Sequence, residues 1–60
     1  MSKRRITIEF TDGKKETAYY PHITDDIRLD AIGYGKAKLY GVKSVTIFYG
    51  EWQGSFTINN

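Results

Sequence analysis

From Arg5 to Phe10 the chain reads RITIEF, with Ile6, Ile8 and Phe10 alternating against Arg5, Thr7 and Glu9. A period of two predicts a strand with one buried face. The segment TDGKK follows, and its Asp12-Gly13 pair marks a tight hairpin turn in which both central residues take positive φ. KETAYY returns as a second strand in one of two registers, with either Ala18 and Tyr20 or Thr17 and Tyr19 inward; Lys15, Thr17 and Tyr19 make the better solvent-facing set, which favours the first. Pro21 ends it, because proline has no N–H for the ladder.

The period then changes. Thr24 or Asp25 can cap a helix, Asp25 and Asp26 suit its positive end, and Lys36 and Lys38 suit its negative end. Gly41 suits the left-handed residue that closes a helix, so the prediction is a helix over 25–40. At 100° per residue, Ile27, Ala31, Ile32, Gly35 and Leu39 share one face. That face is predicted to meet the sheet, with Gly35 allowing close approach. Leu29, Gly33, Lys36, Ala37 and Tyr40 then form a shallow strip on the solvent side.

KSVTIFYG predicts a third strand, with Val45, Ile47 and Tyr49 alternating against Ser44, Thr46 and Phe48. GEWQG turns the chain, and SFTINN returns with Phe56 and Ile58 inward. The expected fold is α+β: a single ββαββ domain over residues 1–60, with one helix across one face of a four-stranded sheet. Its core candidates are Ile6, Ile8, Phe10, Ile27, Ile32, Leu39, Val45, Ile47, Phe56 and Ile58.

This element order and length resemble the β-grasp architecture and, within it, the immunoglobulin-binding domains of protein G. The resemblance implies that the first and last strands pair in parallel at the centre of the sheet, while the residues themselves leave a different strand order open. Gly50-Glu51-Trp52 also recurs in that family, but there it opens the third strand and here it follows it. No binding residue is carried over.

Composition narrows the function. Sixty residues with no cysteine and one histidine exclude a disulfide framework and a Cys/His zinc staple, so the domain depends on its apolar core. No apolar run approaches the roughly 20 residues needed to span a bilayer. MSKRRITIEF is basic but lacks the apolar stretch of a signal peptide, which predicts a cytoplasmic protein. The net charge of +2 permits anionic partners without demanding them.

Gly33-Tyr34-Gly35-Lys36 has the look of a phosphate loop, but such a loop follows a strand and opens a helix. Here a capped helix already precedes it, and no Ser or Thr follows Lys36. Capping accounts for Asp25 and Asp26, and His22 belongs to a loop. No nucleophile–base pair or carboxylate dyad remains, so no catalysis, cofactor, metal or small-molecule substrate is expected.

Binding remains. The leading expectation is a small interaction domain, of a kind common among accessory proteins of phages and mobile elements. Its partner would be a protein or a second copy of the chain, docked on Leu29, Gly33, Lys36, Ala37 and Tyr40, with Trp52 as a turn anchor. The alternative is single-stranded nucleic acid on the outer sheet face. There Tyr19 and Phe48 would stack on bases, and Arg5 and Lys43, with Lys3 and Arg4, would hold phosphates.

Overall fold

The computed structural model describes residues 4–50 and 53–60. Strands β1 (Arg5–Phe10) and β2 (Lys15–Tyr19) precede helix α1 (Asp26–Ala37), and β3 (Val42–Gly50) and β4 (Gly54–Asn59) follow it. The α+β, ββαββ arrangement is the predicted one. The four strands form one antiparallel sheet in the order β2-β1-β3-β4, and α1 lies across one face.

The β-grasp pairing does not form. β1 lies against β3, antiparallel, and β4 is an edge strand. β1 and β3 supply Ile6, Ile8, Val42, Val45 and Ile47, all buried, and the central positions are where the helix can cover them. β4 has less to bury: Phe56 faces the helix side but stays 46% exposed.

The register Ile6↔Ile47 and Ile8↔Val45 builds the core rows. Ala18 and Glu16 extend the same face on one side, and Phe56 and Ile58 on the other. The first hairpin also departs from expectation, since Gly13 alone takes positive φ (93°) and Asp12 does not. Phe10 N–H bonds to the Lys14 carbonyl and Gly13 N–H to the Phe10 carbonyl. The loop is therefore three residues closed by one left-handed glycine, another favoured hairpin connection.

Asp25 is the N-cap of α1, its Oδ1 accepting from Ile27 N–H at 3.0 Å. The helix ends at Ala37, short of the predicted Tyr40. Lys38 and Leu39 N–H bond to Gly35 and Lys36, a tightening to i→i+3 spacing. Asn60 then caps the end, donating from Nδ2 to the carbonyls of Ala37 (2.6 Å) and Val42 (3.0 Å).

The helix phase is the main correction. Leu29 (0% exposed), Gly33 and Ala37 face the sheet and Lys36 is half-buried, so this predicted docking strip is mostly interior. Ile27 is 78% exposed, and Ala31, Gly35 and Leu39 are also in solvent. Each stripe offers large apolar residues and small ones, so hydrophobicity alone does not choose between them.

Shape and polar contacts do choose. A β-carbon at Gly33 would stand 2.6 Å from Ile47 Cγ1 and closer still to its Cδ1, so Ile47 fills the space that this glycine leaves. Nothing lies within 4 Å of a β-carbon at Gly35. Asp26 and Asp30, one helical turn apart, engage Arg4 and Tyr49, which fixes the rotation.

Candidate functional site

Two surfaces and one polar cluster could carry function. The first surface is the sheet face away from α1. Strand register sets it out in three rows: Tyr19–Arg5–Phe48–Ser55, Thr17–Thr7–Thr46–Thr57 and Lys15–Glu9–Ser44–Asn59. The sequence-predicted outer set stands here, because side chains on a strand must alternate.

The Arg5 guanidinium lies 3.9 Å from the centroid of the Phe48 ring, a cation–π stack, with exposed Tyr19 beside it in the row. Thr7 and Thr17 hydroxyls are 3.0 Å apart, and those of Thr46 and Thr57 are 3.1 Å apart. Of the predicted nucleic-acid residues, Arg5, Tyr19 and Phe48 come together. Lys43 lies beyond the opposite end of the face, its Nζ 3.7 Å from Glu9 Oε2.

The second surface is the solvent side of α1. Ile27, Ala31, Tyr34 and Lys38 follow at four-, three- and four-residue steps and form one stripe, flanked by Gly35 and Leu39. Tyr34, 48% exposed, leans on Phe56 with ring centroids 6.4 Å apart, which carries the apolar surface to the β4 edge. Sequence reasoning missed this surface by assigning Ile27 and Leu39 to the core. Asp26 and Asp30, one turn apart, lie on the side that the structure turns towards Arg4 and Tyr49. Of the predicted strip, Tyr40 alone is fully exposed, beyond the helix end. Trp52 lies outside the described residues.

The polar cluster is a fastening. The Arg4 side chain is 11% exposed and donates to the carbonyls of Ile23 and Tyr49 and to Asp26 Oδ1. It ties the start of β1 to the helix N-terminus and the end of β3, and is engaged well away from the predicted phosphate-contacting role. The Tyr49 hydroxyl donates to Asp30 Oδ1 at 2.5 Å. Burial, then this bond and the Asp30 charge, push the Tyr49 hydroxyl up to about 12 from its usual 10.

Ionisation of Tyr49 is thus opposed in the folded state. Its contribution to stability should be intact below pH 10 and lost as pH rises from 10 towards 12. Phenolate absorbance should show one tyrosine titrating late, and Asp30→Asn should bring it back towards 10. A parent titration with no late step would contradict this.

His22 is exposed in the turn before α1. Among the described residues, no three His, Cys, Asp or Glu stand close enough to hold a metal. No described helix is long and apolar enough to cross a membrane. No protein family, curated protein or solved structure matches the chain, so a functional reading has to come from these surfaces.

Proposed function

We propose that this is a small non-enzymatic interaction domain that binds another polypeptide through the solvent face of α1. The observation that carries this reading is Ile27. It is a large aliphatic side chain, 78% exposed, aligned with Ala31 and Tyr34 at the spacing by which helices dock into apolar grooves. Covering an exposed side chain of this size contributes about 1.5–3 kcal/mol. A cytoplasmic setting suits the cysteine-free composition.

A second reading has its own support. The Arg5–Phe48 stack and Tyr19 offer two aromatic rings and a cation in one row, the arrangement on which single-stranded nucleic acid stacks. That face carries Arg5 and Lys15 against Glu9, with Lys43 beyond its far end.

One pair of variants separates the readings. Ile27→Glu should fold like the parent and lose the captured partner protein, while Phe48→Ala should keep it. Fluorescence polarisation of labelled single-stranded oligonucleotides at low salt forms the second arm. Binding that is lost in Phe48→Ala and falls steeply with added salt would favour the nucleic-acid reading. Capture unchanged by Ile27→Glu would rule out the α1 face.

A further inference from the structure

We propose that the β4 edge pairs with β4 of a second copy about a two-fold axis, joining two four-stranded sheets into one. The two edges of the sheet differ. β2 carries Lys15 and Glu16 and is followed shortly by Pro21, features that block edge-to-edge pairing. β4 reads GSFTIN, with neither charge nor proline.

The hydrogen-bond phase shows which groups the edge offers. Asn60 N–H bonds to the Lys43 carbonyl at 3.0 Å. Bonded and non-bonded pairs alternate in an antiparallel ladder, so Ile58 and Phe56 also direct their backbone groups to β3. Ser55, Thr57 and Asn59 direct theirs to the open edge. The Thr46–Thr57 hydroxyl contact fits this phase, because side chains approach most closely in non-bonded pairs.

Every antiparallel pairing of β4 with its own copy is two-fold symmetric, and the register centred on Thr57 uses the most of this edge. With Thr57 opposite Thr57 of the second copy, Ser55 meets Asn59 in both directions, and the outward N–H and C=O groups of all three residues are used. The same register sets Phe56 across from Ile58 of the second copy on the helix side. That would cover Phe56, now 46% exposed, and the neighbouring Tyr34. On the other side the threonine row continues through the axis. The pairing does not depend on Ile27 and stands or falls separately from the α1 reading.

Sedimentation of the protein alone across a concentration series tests the proposal. The parent should pass from monomer to dimer. Thr57→Pro should stay monomeric while keeping the parent's circular dichroism, because the N–H it removes serves no bond to β3. Should Thr57→Pro fail to fold, Thr57→Lys retains that N–H but sets like charges across the axis, and should weaken dimerisation about tenfold or more. Thr57→Cys should give a covalent dimer on mild oxidation, since bonded pairs lie within disulfide reach. A parent that is monomeric to its solubility limit would overturn the proposal. So would a dimer that is indifferent to the Thr57 variants, whether another surface or an outside peptide is the true occupant.

Discussion

Gly33→Leu is expected to destabilise the domain by about 3 kcal/mol, the upper end of ordinary overpacking costs. The helix crosses β3 where Ile47 projects, and the Ile47 side chain stands in the place a β-carbon would take. Ile47 is fully buried, with Ile6 close by, so neither the helix nor the isoleucine can move aside without opening the core. Gly35→Ala should do the reverse. It points into open space, and alanine gains up to roughly 1 kcal/mol of helix propensity over glycine. Urea melts of both variants, at unchanged slope, measure the pair. Shifts of equal sign would contradict the observed helix rotation. In a domain of this size, whose total stability is on the order of several kcal/mol, the first change alone should leave a large unfolded fraction.

Arg4→Met is expected to destabilise by about 2–4 kcal/mol, chiefly by orphaning backbone acceptors. The ion pair itself is the smaller part, since Asp26 is 40% exposed and water screens its charge. The carbonyls of Ile23 and Tyr49 matter more, because each loses a charged donor in a half-buried setting. Asp26→Asn should therefore change stability by less than about 1 kcal/mol. Arg4→Lys should rescue little, because one ammonium lacks the planar fork that reaches three acceptors at once. Comparing the three melts separates the two contributions. An Asp26→Asn loss as large as that of Arg4→Met would place the energy in the ion pair instead.

Local alternation decided a good deal by itself. Ile6 and Ile8 opposite Thr7, and Val45 and Ile47 opposite Thr46, could only become strands with one apolar face. The outer rows of β1 and β3 followed from that, along with the inward turn of Tyr49, while the two registers open to β2 were separated by the pairing of Ala18 with Ile6. A cap at Thr24 or Asp25 was legible because a short polar side chain suits the first free N–H groups of a helix, and the structure selects Asp25. These features depend on residues within a few positions of one another, where steric and hydrogen-bonding rules act directly.

Helix rotation and strand order were not legible, for a physical reason. The stripes through Ile27 and through Leu29 are nearly matched in apolar content, so transfer free energy does not separate them. Only the tertiary structure does so, through Ile47 filling the space at Gly33 and through Arg4 and Tyr49 reaching Asp26 and Asp30. Strand order likewise turned on which pair of strands had most to hide beneath one helix. The buried side chains of β1 and β3 took the centre, which left β4, with its half-exposed Phe56 and uncharged edge, at the margin of the sheet.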